Sequence, residues 1–173
     1  MEIIKIINPE NLPIGDDSFF EKQESVRGIV FDKNRSKIAT QYSTNHNYHK
    51  LPGGGIENGE NFVEALNREC LEELGYAIKI EKELGITIEY RNNEKQNIKR
   101  LSYCYVAKIV NDEQELKLDA AEKRAAFIVQ WMTLDEALKV WEKEIENASQ
   151  DGSNKYILPR DLSIIKYFLE KSV

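Results

Sequence analysis

An α/β domain with a mixed sheet between helical layers is predicted by three features of the chain. Short β-branched and aromatic segments bounded by polar turns read as strands. Three further segments keep apolar residues at helical spacing. The two kinds do not alternate strictly as strand–helix–strand, so an all-parallel sheet is not expected. At 173 residues the chain is long enough to bury a core and short enough to form a single domain over 1–173.

Residues 2–8 (EIIKIIN) are β-branched and read as a first strand, after which Asn8-Pro9 and Leu12-Pro13 punctuate a loop. Residues 25–32 (SVRGIVFD) make a stronger strand. The polar turn Lys33-Asn34-Arg35-Ser36 follows and residues 37–42 return, which predicts a hairpin. Residues 43–50 are polar and read as a solvated loop. Its histidines, His46 and His49, have no third histidine to complete a zinc site.

Residues 76–90 read as extended with a break at Gly85, residues 91–97 as a charged turn, and residues 98–110 as a long partner strand, giving a second, larger hairpin. Residues 111–124 are charged and specify no element. Residues 127–132 (FIVQWM) form a short strand, and Thr133 with Glu136 makes a capping box for a helix reaching about residue 143. After a loop-like stretch at 146–155, Pro159 suits the first turn of a final helix over 159–171. Its residues Leu162, Ile165, Phe168 and Leu169 keep helical spacing. Tyr90, Tyr103, Tyr105 and Trp131 are available to stack on a base, but strand aromatics read first as core.

Hydrophobic residues make up 41% and charged residues 31%, as in soluble globular proteins. No apolar run approaches the roughly 18 residues that cross a bilayer, so no membrane partner is expected. The opening MEIIKIINPENLP lacks the parts of a secretory signal, which predicts a cytoplasmic protein. A net charge of −6 argues against a broad nucleic-acid surface. It leaves room for a free nucleotide, because a bound metal reverses the sign of a local site. Cys70 and Cys104 form no C-x-x-C pair and read as small core hydrophobes.

The chemistry concentrates in residues 51–76, LPGGGIENGENFVEALNRECLEELGY. A helix is predicted over 62–74, with Asn61 as N-cap, Glu64 completing a capping box, and Gly75 as the stop where a left-handed residue is needed. At roughly 100° per residue, Val63, Leu66, Cys70 and Leu74 form the core stripe. Glu69, Glu72 and Glu73 form a separate arc, with the small Ala65 one turn up leaving room above them. Like charges at this spacing repel by only about 0.2–0.5 kcal/mol per pair, which decides nothing. Taken alone, such an acidic face is most often solvated, and Arg68 offers Glu64 and Glu72 as partners. The glycine turn is not a phosphate-binding P-loop, because Gly53-Gly54-Gly55-Ile56-Glu57 lacks the Lys followed by Ser or Thr.

Conjunction decides between a solvated face and a site. Gly54, five residues, Glu60, seven residues, then Arg68-Glu69-Cys70-Leu71-Glu72-Glu73-Leu74-Gly75-Tyr76 resembles the Nudix box, G-x5-E-x7-R-E-U-x-E-E-x-G-U, with U a bulky apolar residue. All seven fixed positions of this 54–76 stretch match. At roughly one chance in fifteen per position, such a match arises by accident about once in a million chains of this length. Cys70 and Tyr76 stand at U positions that are more often aliphatic, and Leu51-Pro52-Gly53-Gly54 is similar to the family's lead-in.

The resemblance implies a Nudix-type α/β/α sandwich with a mixed β-sheet. It also implies Mg²⁺-dependent hydrolysis of a diphosphate bond in a nucleoside diphosphate linked to another moiety: a nucleotide, nucleotide-sugar or dinucleotide. Glu69 and Glu73, one helical turn apart, share a Mg²⁺ site in this reading (Mn²⁺ being the substitute), and Glu72 binds a second ion or acts through water. The Gly53 backbone carbonyl adds a ligand by the same resemblance. Arg68, pointing partly away from the arc, orients a carboxylate, above all Glu60. The general base is Glu69 or Glu73, with Glu122 as the candidate from a distant loop. The rival readings are a Nudix-like module that senses a nucleotide without turnover, and an acidic-helix structural protein. The long hairpin and first strand are candidate surfaces for a homodimer.

Overall fold

The computed structural model describes residues 1–92, 95–110, 114–118, 120–147 and 152–172, apart from the side chains of Ala121 and Glu122. Strands β1 (Ile3–Ile7), β2 (Phe20–Phe31), β3 (Ile38–Ser43), β4 (Tyr48–Lys50), β5 (Ile78–Arg91), β6 (Asn97–Ile109) and β7 (Phe127–Met132) form a seven-stranded sheet. Its order is β1-β5-β6-β2-β3-β4, with β7 also on β3. The pairs β1–β5 and β2–β6 are parallel and the rest antiparallel, so the sheet is mixed. The helices are α1 (Phe62–Leu74), α2 (Ala120–Ala125), α3 (Leu134–Asn147) and α4 (Asn154–Glu170). No helix among the described residues is long and apolar enough to cross a membrane.

Alternation along β2 divides the core. Val26 and Val30 face one way, toward Ala65, Leu66, Cys70 and Leu74 of α1. Ile29 and Phe31 face the other, toward Trp141 of α3 and Leu158, Ile164 and Ile165 of α4. The sheet is thereby covered on both faces, as the α/β/α reading requires. The large hairpin forms as expected, β5 against β6 from Ile78↔Ile109 to Arg91↔Ile98, with an irregularity between Glu83 and Gly85. Thr133 and Glu136 exchange the two bonds of a capping box at α3. Both cysteines are buried and free.

Four local expectations are corrected. The first hairpin reduces to one pair, Phe31↔Ile38, because β6 takes one edge of β2, residues 52–56 take the other, and β3 takes β4 and β7 as partners. The stretch read as a solvated loop contains β4. There His49 is buried, its Nδ1 2.5 Å from Glu144 Oε1 and its Nε2 3.0 Å from Gln130 Oε1. Val63 is 44% exposed and leaves the core stripe, while Phe62 beside it stacks on Tyr103 at 3.9 Å. Helix α4 begins at Asn154, not at Pro159. Burying Tyr156 and Leu158 at roughly 1.5–3 kcal/mol each outweighs the roughly 3 kcal/mol of an interior proline.

A buried ionic chain ties α4 to the sheet. Arg160 Nε donates to Asp161 Oδ1 at 2.6 Å and Nη1 to Glu89 Oε1 at 3.3 Å, all three residues being at most 1% exposed. Glu89 also receives the Arg91 guanidinium, Nε to Oε2 at 2.6 Å. Burial pushes the Glu89 carboxyl up, but Arg160 and Arg91 together hold it below the ordinary 4.5. A depressed carboxyl contributes stability that is present above the unfolded value and lost as pH falls through the folded one. The urea midpoint of the wild type is therefore expected to fall as pH drops from about 5 to 3, and that of Glu89→Gln to fall less steeply. Identical pH slopes in the two proteins contradict this account.

Candidate active site

The turn at residues 51–55 and helix α1 build the site together. Asn61 Oδ1 accepts the N–H groups of Val63 and Glu64, each at 3.0 Å, and Glu64 Oε2 accepts the Asn61 N–H at 3.0 Å. At the other end Gly75 takes φ +77°, the left-handed stop that its position required. The helix is thus fixed in register by its own termini.

The turn lies along β2 like a short strand. The Pro52 carbonyl accepts Gly28 N–H at 3.0 Å and the Gly54 carbonyl accepts Val26 N–H at 2.9 Å. Facing away from β2, Leu51 N–H donates to Asp161 Oδ2 at 2.8 Å and Gly53 N–H to Glu73 Oε2 at 2.7 Å. Gly53 has φ +126°, and a Cβ there would stand 2.2 Å from the Val26 carbonyl oxygen. A Cβ on Gly54 would stand 2.3 Å from Glu69 Oε1, so the bare backbone cradles that carboxylate.

Every expected site residue except Glu122 has a described side chain. Glu73 is 1% exposed; Lys50 Nζ lies 2.7 Å from its Oε1, opposite the Gly53 N–H. Arg68 lies across the arc rather than away from it. Its Nε and Nη2 donate to Glu60 at 2.7 and 3.1 Å, and its Nη1 to Glu69 at 2.8 Å and Glu72 at 3.1 Å. Nη2 also meets the Gly55 carbonyl at 2.9 Å, tying the helix back to the turn. The hydrogen bond to Glu60 raises the Arg68 guanidinium above its ordinary value, and the same bond lowers the Glu60 carboxyl. Ala65 is wholly buried against the sheet, so it fills core and does not open space above the carboxylates. Glu122 falls within α2, and its side chain lies outside the described residues.

Among the described residues, no three His, Cys, Asp or Glu side chains converge as a ready-made metal centre. Glu69 and Glu72 turn to Arg68, while Glu73 turns to Lys50 and Gly53. The donor chemistry nevertheless suits a hard cation: carboxylate oxygens one helical turn apart, a glycine cradle for one of them, and an ammonium already seated on the other. Burial first, then the charges of Glu73 and Glu69, push the neighbouring Cys70 thiol well up, which leaves it a protonated core residue.

A cleft of about 900 Å³ opens over this surface. Glu69, Glu73 and Gly53–Gly55 line it on one side, and Arg27, Arg100 and residues 152–154 of the α4 start on the other. Tyr48 and Phe127 are its aromatic lining. The four aromatics weighed from sequence do not line it; Tyr90 and Tyr105 are core. Sequence reasoning also missed Lys50, Arg27 and Arg100. Their one signal is a basic residue inside an otherwise β-forming run.

The family model described as NUDIX domain matches residues 21–151. No curated protein matches the chain in sequence. Among solved structures, a NUDIX hydrolase from Nitrosomonas europaea superposes with a TM-score of 0.63 at 17% identity, over 87% of this chain and 90% of that one. The NUDIX domain of Shewanella oneidensis NrtR, complexed with ADP ribose, gives 0.56 at 16% identity over 94% and 95%. The Ap4A hydrolase of C. elegans gives 0.54 at 15% identity over 88% and 100%. At these identities the likeness is one of fold.

The two turn glycines predict contrasting variants. A methyl at position 53 meets backbone in a left-handed conformation, so Gly53→Ala should lose roughly 2–3 kcal/mol of stability. A methyl at position 54 meets the end of a flexible side chain, so Gly54→Ala should stay within about 1 kcal/mol of wild type while moving Glu69. Urea denaturation of both measures the difference, and equal stabilities would refute the packing described for the turn.

Proposed function

Because the chain belongs to the Nudix hydrolase family, we propose that it hydrolyses a phosphoanhydride bond in a nucleoside diphosphate linked to a further moiety, with Mg²⁺ as its metal. The observation that carries this reading is the union of Glu69, Glu73 and the glycine turn on one side of a cleft of nucleotide size. The fold relatives accord with it, one being complexed with ADP ribose and another being named an Ap4A hydrolase.

The chain's own side chains do the positioning. Glu69 and Glu73 would hold the metal, with Glu72 and the Gly53 carbonyl completing the set, once Lys50 yields its place on Glu73. Bound there, a metal would supply a water of lowered pKa and positive charge opposite the diphosphate. Glu69 or Glu73 takes the water's proton, with Glu122 as the alternative base. Arg68, braced by Glu60, restrains Glu69 and Glu72 at the angle set by helix and turn, as partners behind metal ligands do. Lys50, displaced from Glu73, lines the same cleft and is placed to meet the leaving phosphate.

A second reading follows from Lys50 itself. Its ammonium already balances Glu73, an arrangement that suits nucleotide sensing without turnover. Phosphate release from ADP-ribose, dinucleoside polyphosphates and oxidised dNTPs, with and without Mg²⁺, separates the two. Hydrolysis is expected to vanish with chelator and to fall by about 10²-fold or more in Glu73→Gln that melts cooperatively. Full turnover in that variant removes Glu73 from the mechanism. Saturable ADP-ribose binding with no products across the panel assigns the sensing role.

A further inference from the structure

The side of the cleft facing the carboxylates carries cations that the hydrolytic reading leaves without a task. Registers Gln23↔Arg100, Ser25↔Ser102 and Arg27↔Cys104 put Arg27, Ser25 and Arg100 on one face of the β2–β6 pair. The Ser25 and Ser102 hydroxyls, 2.8 Å apart, lie between the two arginines. Arg27, Ser25 and Arg100 all line the cleft.

Arg27 is 7% exposed, and its Nε is buried with no hydrogen-bond partner. Among the described residues its Nη1 donates to the adjacent Val26 carbonyl alone, at 2.6 Å. Nearby carboxylates are engaged elsewhere: Asp161 and Glu89 by Arg160, and Glu73 by Lys50 and Gly53. Arg100 donates to the neutral Gln23 at 2.6 Å and makes no ion pair among the described residues. Burial, followed by repulsion from Arg160 for Arg27 and from Arg91 for Arg100, pushes each guanidinium down to about 10. Both stay charged at neutral pH and gain from an incoming anion.

The start of α4 closes the same end of the cleft through Gly152, Ser153 and Asn154. Ser153 makes no side-chain cap bond, and the first turn of this 17-residue helix has no acidic residue. An uncapped helix N-terminus favours an anion through its open N–H groups and its dipole. A buried guanidinium with an orphaned N–H, a second unpaired guanidinium and an open helix start thus face one volume.

We propose that Arg27, Arg100, Ser25 and the start of α4 form an anion subsite that takes a second phosphoryl or carboxylate group, carried by the moiety beyond the scissile diphosphate. The assignment rests on the hydrolytic reading for the diphosphate at the carboxylate side. It narrows the substrate class to nucleoside diphosphates whose linked group is itself anionic.

Matched substrates test it. UDP-glucose against UDP-glucuronate isolates a carboxylate, and ADP-ribose against its 1″-phosphate isolates a phosphoryl group. Wild type is expected to prefer the anionic member of at least one pair by about tenfold or more in kcat/KM. Which pair responds identifies the anion. Arg100→Gln should remove that preference while leaving the neutral members within about twofold. Absence of any preference, or equal loss on both members, overturns the subsite, because equal loss means that the arginines serve the shared diphosphate. Calorimetric titration with inorganic phosphate in metal-free buffer supplies a readout independent of turnover. Weakening of about tenfold in Arg100→Gln, with none in Glu73→Gln, supports the subsite even if no nucleotide is cleaved, and then only the hydrolytic reading falls. Unchanged phosphate affinity in Arg100→Gln overturns the subsite while leaving hydrolysis intact. If Arg100→Gln does not melt cooperatively, Arg27→Lys carries the same comparison.

Discussion

Burying the Glu73 carboxylate is the constraint on which the rest of the site depends. A carboxylate at 1% exposure costs several kcal/mol unless it is paired and hydrogen-bonded. Here one oxygen takes the Lys50 ammonium and the other the Gly53 N–H. Lys50 ends β4 and Gly53 lies in the turn that follows it, so both partners come from one short, continuous connection. The carboxylate therefore fixes the turn against α1, and the turn cannot leave without stranding a charge.

The same connection is held from the opposite layer. Leu51 N–H meets Asp161 of α4 two residues before Gly53 N–H meets Glu73 of α1. The carbonyls between and beyond them, Pro52 and Gly54, are spent on β2. Residues 51–54 thus behave as a strand whose second edge pairs with two buried carboxylates, one from each helical layer. Asp161 can serve because Arg160 neutralises it and bridges to Glu89 of β5. The positions of both helices relative to the turn, and hence the width of the cleft, follow from two backbone N–H groups.

This arrangement shows what the sequence could disclose. Helix α1 was legible to its ends, because Asn61, Glu64 and Gly75 act through contacts within one or two turns. The β5–β6 hairpin and the Thr133–Glu136 cap are local in the same sense. The spacing of Glu60, Arg68, Glu69, Glu72 and Glu73 was visible as well. What that spacing meant geometrically was not, since Arg68 is drawn across the arc by four acceptors at once. Val63 misled because helical periodicity does not say where the sheet ends beneath a helix. The parallel β2–β6 pairing joins residues about 77 apart, beyond any pattern in either strand. Arg27 and Arg100 were unreadable for that reason. In isolation a basic residue alternating with Val or Leu marks a solvated face, and only the arrival of α4 turns that face into a cleft wall.

The electrostatic layout reconciles a net charge of −6 with the polyanionic substrate proposed above. Acidic groups on the α1 side are neutralised by Arg68, which braces them, and by Lys50, whose place on Glu73 an ion can take. On the α4 side Arg160 takes the hydrogen bonds of Asp161 and Glu89, and among the described residues no carboxylate pairs directly with Arg27. The network that stabilises α4 is therefore also what keeps positive charge uncompensated in the cleft. Replacing Arg160 by an apolar residue would leave Asp161 with the Leu51 N–H and Glu89 with Arg91, and their unbalanced charge would offset Arg27 and Arg100 and weaken the field that an anionic ligand meets. Stability and selectivity are coupled through that one side chain, which lines the cleft beside Arg27 and Arg100 although it is only 1% exposed.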